Sequence, residues 1–151
     1  MWFRGPNKLS VDAKGRVAMP KAHRDVLLEN GITELIITGS PAGCLNVYMK
    51  DEWLELEQSL MALPNISKEV QRLQRIFVGN ATMVELDGTG RILLTSELRT
   101  LAGIDRKAML VGMGTKFEIW DEGRWERQVV VPEGEVVDTT VGPPELQTIK
   151  F

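Results

Sequence analysis

Cysteine and histidine are nearly absent from this sequence of 151 residues, which contains one of each, Cys44 and His23. A single cysteine cannot form an internal disulfide, which is consistent with a reducing cytosol. Nothing in the sequence brings Cys44 and His23 together, so a Cys/His or Ser/His catalytic pair has little support. The spacing typical of zinc ligands is absent as well. The sequence therefore predicts a protein that is not an enzyme, with no metal and no cofactor.

Long apolar runs are also missing. No stretch approaches the roughly 18 residues of a membrane span, and the first six residues have no signal-peptide core. Hydrophobic residues make up 43% and charged residues 26% of the chain, values typical of a soluble globular protein. A chain of this length supports one core without metal or disulfide staples. We therefore expect a cytoplasmic protein of about one domain, with no membrane partner and no small-molecule substrate.

The charge of the chain is unevenly distributed. The net charge of −3 alone would argue against a nucleic-acid partner. However, residues 1–24 contain a single acid, Asp12, against six basic side chains: Arg4, Lys8, Lys14, Arg16, Lys21 and Arg24. Residues 25–84 and 108–151 are both acidic overall, and residues 85–107 are neutral. The positive charge is therefore concentrated at the start of the chain.

The pattern Asp-x-x-Gly-Arg occurs twice, at residues 12–16 and 87–91, each time between two short apolar runs that we predict to be strands. Aspartate opens a type I turn because its carboxylate accepts from backbone N–H groups just ahead of it. Glycine suits the closing position, where φ is often positive. We therefore predict two hairpin tips, shaped by Asp12 and Gly15 in one and by Asp87 and Gly90 in the other. A turn role explains Asp12 and Asp87 better than an acid–base pair would.

The two motifs belong to an internal duplication. Four residues recur at a spacing of 75: Asp12, Gly15, Arg16 and Arg24 correspond to Asp87, Gly90, Arg91 and Arg99. Four more recur at a spacing of 72: Leu45, Val47, Tyr48 and Trp53 correspond to Phe117, Ile119, Trp120 and Trp125. After each motif the pattern predicts a helix (21–28, 97–102) and two strands (35–38 and 45–49, 108–111 and 116–120), with turns at 39–43 and 112–114. Two copies are too few for a solenoid.

A helical insert separates the copies. One predicted helix has an apolar stripe of Trp53, Leu56, Leu60 and Leu63, Pro64-Asn65 breaks it, and Ser67 is placed to cap a second helix. Packing on the core is the favoured interpretation of the stripe, and packing on another subunit is the alternative. Residues after about 128 show no clear period and predict a flexible tail. The predicted division is 5–53 for the first repeat, 54–81 for the insert, 82–127 for the second repeat and 128–151 for the tail.

The basic turn residues fit DNA recognition. The arginine fork bonds guanine O6 and N7 in the major groove, and a two-stranded ribbon is narrow enough to enter that groove. Arg16, with Lys14 beside it, is the first candidate. Arg91 is its equivalent, with Thr89 in place of Lys14. The alternative is that each arginine only pairs with the aspartate of its own turn, a contact worth roughly 0–1 kcal/mol when exposed. From the residues alone the two alternatives are balanced.

Several of these segments together resemble the MraZ family of bacterial transcriptional regulators, which have two AbrB-like (SpoVT-AbrB) repeats. The segments are the paired Asp-x-x-x-Arg motifs, residues 84–94 followed by 117–121, Arg4-Gly5, and Gly43-Cys44-Leu45. The likeness covers residues 1 to about 127 and leaves out the tail. The motif residues that carry over are Asp12, Arg16, Asp87 and Arg91, and Lys14 joins them by position.

The resemblance implies a β-rich fold, mainly β with short helices. Its centre would be a double-split, swapped-hairpin AbrB-like barrel whose two halves come from one chain, with the helical insert added. It implies a nucleoid-associated repressor of its own cell-division and cell-wall gene cluster, bound to repeated short boxes in double-stranded promoter DNA. It also implies a homo-oligomeric ring of about eight or twelve subunits. In that setting His23 and Arg24 become further candidates for phosphate contacts.

Two other functions stay open at this point. One is a protein-interaction module that binds a peptide or toxin partner, as MazE-like relatives do. A basic or aromatic tail would favour this alternative, whereas the tail here is acidic and lacks aromatic residues before Phe151. The other is a purely structural ring former, for which no salt-dependent DNA binding is expected.

Overall fold

A computed structural model describes residues 1–64 and 66–151; Asn65, part of the predicted Pro64-Asn65 break, lies outside the described residues. The strands are β1 Phe3–Ser10, β2 Arg16–Ala18, β3 Glu34–Gly39, β4 Leu45–Met49, β5 Thr82–Glu85, β6 Arg91–Leu93, β7 Lys107–Gly114 and β8 Lys116–Asp121. The α-helices are α1 Lys21–Glu29, α2 Lys50–Met61, α3 Lys68–Phe77, α4 Ser96–Ala102 and α5 Glu122–Val129. A short 3₁₀ helix follows at Pro144–Thr148.

The fold is mixed α/β, so the prediction of a mainly β protein is confirmed only in part. Helices occupy about as many residues as strands in the described chain. Helix α2 begins directly after β4, and α5 begins directly after β8 at the corresponding place in the second copy. The helices therefore contribute too much of the described chain for the fold to be mainly β. No helix among the described residues is long and apolar enough to cross a membrane.

The sheet topology reflects the duplication. Six antiparallel strands lie in the order β1-β7-β8-β4-β3-β5, and β2 pairs with β6 in a separate ribbon. Exchanging the two copies (β1 with β5, β3 with β7, β4 with β8) reverses this order and leaves it unchanged. Each copy gives its first strand to the other, because β1 pairs with β7 and β5 pairs with β3. The two repeats therefore form one interlocked unit.

Both predicted turns are present, but neither joins a simple hairpin. Gly15 N donates to Asp12 O at 3.0 Å and Gly90 N donates to Asp87 O at 2.9 Å. Both glycines have positive φ, 86° and 79°. However, β1 leads into the first turn and pairs with β7, while β2 leaves it and pairs with β6. Turn chemistry reverses the chain locally, and the pairing partner of each strand is decided by the apolar face that it buries.

The predicted turn at residues 112–114 is wrong, because β7 continues through Gly114. A Cβ on Gly112 would run into the backbone of β1 at Arg4 N, so glycine here allows close approach of two strands. The reversal is made instead by Gly114 and Thr115, since Met113 already pairs with Lys116. Gly114 has a φ of 79°, as the first central residue of a two-residue hairpin turn requires.

Local side chains set the ends of α3 and α4, and the predicted cap at Ser67 is present. The Thr95 hydroxyl accepts from Leu98 N at the start of α4, and Gly103 ends that helix in the left-handed conformation. The Ser67 hydroxyl accepts from Val70 N at the start of α3. These side chains satisfy backbone groups that the first turn of a helix leaves unpaired.

The main core lies between the six-stranded sheet, the ribbon and helices α1 and α4. Its most deeply buried members include Leu27, Leu35, Ile37, Leu45, Ile92, Leu94, Leu98, Phe117 and Ile119. The insert covers part of the sheet's other face, where Trp53 packs with Ile36 and Tyr48. The Thr38 hydroxyl donates to the Phe77 carbonyl and ties the end of α3 to β3. Trp53 and Leu56 of the apolar stripe thus pack on the chain's own sheet, whereas Leu60 is buried outside that cluster and Leu63 is exposed.

Candidate nucleic-acid interface

The two motifs meet at the β2–β6 ribbon. Arg16 pairs with Leu93 and Ala18 pairs with Arg91, so these four side chains share one face of the ribbon. Val17 and Ile92 occupy the other face and are buried. Arg16 and Arg91 are therefore diagonal neighbours on the face that solvent reaches. The arginines of the two motifs form one site rather than two separate tips.

Asp12 organises the first turn and contacts both arginines. Its Oδ1 accepts from Lys14 N at 2.9 Å and from Arg16 N at 2.8 Å. Its Oδ2 accepts from Arg16 Nε at 2.9 Å and lies 3.8 Å from Arg91 Nη1. The backbone hydrogen bond from Arg16, with the other donors, lowers the pKa of Asp12 below its ordinary value of 3.8. Asp12 is thus a charged acceptor that holds the turn and joins the two motifs.

The second turn has the same frame with a different side chain at its tip. Asp87 Oδ1 accepts from Arg91 N at 2.9 Å and from Thr89 N at 2.9 Å, and also from the Thr89 hydroxyl at 2.8 Å. Arg91 Nε donates to Thr89 Oγ1 at 2.8 Å. These bonds, led by the one from Arg91 N, hold the pKa of Asp87 well below its usual range. Thr89 therefore engages its own aspartate and arginine, whereas Lys14 at the equivalent position is exposed.

Both arginines pair with the aspartate of their own turn, so the ion-pair alternative describes a real contact. Arg16 nevertheless keeps binding capacity, because its contact with Asp12 uses Nε and no described residue accepts from its two Nη groups. Its side chain is 29% exposed. A carboxylate behind the guanidinium fixes its orientation without blocking the outer donors. Pairing with Asp12 and contact with DNA are therefore compatible.

Arg24 and Arg99 brace the turns from the helices. Arg24 on α1 covers Gly90 in the second turn and donates through Nη1 to Thr89 O at 3.3 Å. Arg99 on α4 covers Gly15 in the first turn and donates through Nε to Leu94 O at 3.1 Å. Each helix thus supports the turn of the other copy. The spacing of 75 residues relates Arg99 to Arg24, and this was the signal that could have placed Arg99 at the site.

His23 lies beneath the start of β1. Its ring packs edge-on against Phe3 and Phe117, with centroid distances of 5.6 and 5.0 Å, and its Nε2 lies 3.3 Å from Asn7 Nδ2. Partial burial lowers the pKa of His23 below its ordinary value of 6.5 and so favours the neutral ring. This environment favours a packing role, and a phosphate contact by His23 stays a prediction.

Comparison with known proteins gives consistent matches to one family. The model of the MraZ protein family matches residues 2–76 and again residues 77–131. The chain belongs to the MraZ family. It is 53% identical over 123 residues to the "Transcriptional regulator MraZ" of Thioalkalivibrio sulfidiphilus, covering 82% of each chain. It is 44% identical over 148 residues to the protein of the same name from Pseudomonas fluorescens strain SBW25, covering 97% of this chain and 98% of that relative.

Each MraZ match contains one motif, Asp12–Arg16 in the first and Asp87–Arg91 in the second. A third MraZ relative, from Nitrosomonas europaea, is 37% identical over 149 residues and covers 96% of this chain. Members of this family are not enzymes, in agreement with the prediction from composition.

We expect Asp12→Ala to lower the melting temperature at pH 7, because two backbone N–H groups of the turn lose their acceptor. The pKa of Asp12 is lowered on folding, so its stabilisation is present above pH 3.8 and is lost as the pH falls through the lowered value. The difference in melting temperature between parent and variant should therefore shrink below pH 3.8. Asp12→Asn, which keeps one acceptor oxygen, is the control and should fall between them. A difference that is unchanged down to pH 2 would contradict the assignment.

Proposed function

We propose that this chain is a sequence-specific DNA-binding transcriptional regulator that presents the exposed face of the β2–β6 ribbon to the major groove of double-stranded DNA. The observation that carries the proposal is the diagonal placement of Arg16 and Arg91 on that face, with Lys14 exposed in the turn that precedes Arg16. The names of its relatives, "Transcriptional regulator MraZ", support the same function. A ribbon of this width fits the major groove, where arginine discriminates guanine.

The two arginines have unequal roles in this proposal. Arg16 reads a base edge through its outer donors, and Lys14 binds a neighbouring phosphate. Arg91 is bound by Thr89, Asp87 and Asp12, so it contributes less to base recognition. Arg24 acts mainly by holding the second turn, and His23 by packing beneath β1. The motifs are equivalent in fold and different in binding.

The proposed architecture is a double-split, swapped-hairpin barrel made by one chain. Its support is the reciprocal pairing: β1 with β7, β5 with β3, and β2 with β6. Two further hydrogen bonds obey the same exchange, Met19 N to Gly90 O at 2.9 Å and Leu94 N to Gly15 O at 2.8 Å. The division into repeats at 5–53 and 82–127, an insert at 54–81 and a flexible tail from 128 belongs to this proposal.

Ring assembly reconciles the acidic chain with a nucleic-acid partner. Repeating a weak basic face around a ring of about eight or twelve subunits multiplies the effective affinity for DNA with matching repeats. The proposed target is the set of repeated boxes in the promoter of its own cell-division and cell-wall gene cluster, which the protein represses. Its proposed location is the cytoplasm, on the nucleoid. Each subunit can then carry a net charge of −3 and still contribute to tight binding.

The experiment that tests this function compares a labelled duplex from the region upstream of the gene with a scrambled duplex of equal length. We expect preferential binding of the upstream duplex at every salt concentration, with log affinity falling linearly in log salt by about 0.9 per phosphate contact. Fluorescence anisotropy across a salt series measures both quantities. Equal binding of the two duplexes would remove the sequence-specific function. Absence of salt-dependent binding would favour the purely structural ring former.

A further inference from the structure

The residues that the opposite copy places just before each turn differ in charge. At the first turn, Val11 N donates to Arg106 O at 2.9 Å, and Ser10 pairs with Lys107. At the second turn, the matching bond runs from Leu86 N to Thr33 O at 2.8 Å, and Glu85 pairs with Glu34. The second copy therefore places two cations beside the first motif. The first copy places an acid beside the second motif, opposite another acid.

The cations at the first turn share an accessible surface. Arg106 and Lys107 are both exposed, and Lys107 shares the outer face of the sheet with its partner Ser10. Lys8 is exposed on the same face, at the diagonal position where long side chains meet. Lys14 follows Val11 by three residues, so its Cα lies within about 11 Å of the Cα of Val11, whose N–H donates to Arg106 O. We call Lys8, Lys14, Arg106 and Lys107 the basic shoulder.

The nearby acids do not cancel the shoulder. Asp12 is engaged with Arg16 and Arg91. Asp105 is exposed beside Arg106, which leaves residues 105–107 with a net positive charge. The matching residues at the second turn, Thr33 and Glu34, are net negative. A polyanion approaching the ribbon is thus attracted on one side and repelled on the other.

We propose that Arg106 and Lys107 bind backbone phosphates of the duplex that the first motif engages, so that the DNA crosses the junction between the two copies on the side of the basic shoulder. This inference rests on the proposed DNA-binding function and adds the path that the DNA takes across that site. Phosphate rather than base contact is expected, because Arg106 directly precedes β7 and Lys107 begins it, whereas the groove-facing side chains lie on the β2–β6 ribbon. The second copy thereby contributes cations to the site of the first.

The test uses the full chain and the upstream and scrambled duplexes described above. Arg106→Ala/Lys107→Ala removes two proposed phosphate contacts, so the salt slope should fall by about 1.8 per engaged subunit. Between 50 and 200 mM salt, the affinity of the parent should therefore drop about 12-fold more than that of the variant for each engaged subunit. The preference for the upstream over the scrambled duplex should be unchanged. The matched control, Lys68→Ala/Lys150→Ala, removes the same charge from exposed positions elsewhere and should keep the parent slope.

The outcomes separate this inference from the function beneath it. If the parent prefers the upstream duplex and the variant keeps the parent slope, the phosphate role of Arg106 and Lys107 is wrong while the function stands. A slope that falls equally in the variant and in the control reflects general charge, and it also overturns the inference. If the parent shows no preference for the upstream duplex, the proposed function itself fails. Melting temperatures equal to that of the parent establish that both variants are folded.

Discussion

Replacing Arg16 by alanine should abolish specific DNA binding while the protein stays folded. The side chain lies on the exposed face of the ribbon, and it donates through Nε to Asp12. Asp12 keeps its two backbone donors, Lys14 N and Arg16 N, in the variant, so the turn persists. Loss of one bidentate guanine contact costs about 1–3 kcal/mol, and repetition over several boxes compounds that loss. Gel shifts with multi-box and scrambled duplexes measure it.

Two matched variants separate the causes of this loss. Arg16→Lys keeps the charge and removes the planar fork, so it should retain salt-dependent binding and lose discrimination between the duplexes. Arg91→Ala is the counterpart of Arg16→Ala in the second motif. It should weaken binding less than Arg16→Ala does, because Arg91 is engaged by Thr89 and Asp87. Unchanged gel-shift affinity of Arg16→Ala would overturn the assignment of Arg16. Equal effects at Arg16 and Arg91 would remove the proposed asymmetry.

Local features of the fold were predictable because they depend on neighbouring residues. The turn at residues 12–16 follows from an aspartate that accepts N–H groups two and four residues ahead and from a glycine with positive φ. The helix end at Gly103 has an equally local cause. The pairing of β1 with β7 has no local cause, because β7 lies about a hundred residues away and the same apolar alternation would fit other strands. Strand pairing therefore required the structure.

The candidate site also has some features that the sequence shows and others that depend on tertiary contacts. The difference between Lys14 and Thr89 is visible in the sequence and sets the two motifs apart. The exchange of Arg24 and Arg99 between turns depends on how α1 and α4 cross the ribbon, and so does the position of Arg106 beside Val11. The spacing of 75 residues related Arg24 to Arg99 but could not tell which turn each one reaches. Contacts between the copies are tertiary, and they decide the electrostatics of the site.

Gly15→Ala should destabilise the protein strongly. Gly15 has a φ of 86°, a conformation that costs an L-residue roughly 1–2 kcal/mol. Its new Cβ would also lie 2.8 Å from the carbonyl oxygen of Leu94, whose N–H donates to Gly15 O. Because backbone is less able to yield than a side chain, we expect a total loss of about 2–4 kcal/mol. At 2–4 °C per kcal/mol for a chain of this size, thermal unfolding should shift down by about 5–15 °C.

The second turn supplies graded controls for this prediction. Gly90 has a similar φ of 79°, but its Cβ would meet the flexible side chain of Arg24, so Gly90→Ala should cost less than Gly15→Ala. Gly88 has no atom within 4 Å of its Cβ position and corresponds to Ala13 in the first turn. Gly88→Ala should therefore be neutral or stabilise by up to about 1 kcal/mol, through the reduced entropy of the unfolded chain. If Gly15→Ala and Gly88→Ala have the same melting temperature, the close contact between Gly15 and Leu94 does not hold the ribbon. The shared placement of Arg16 and Arg91 then loses its structural basis.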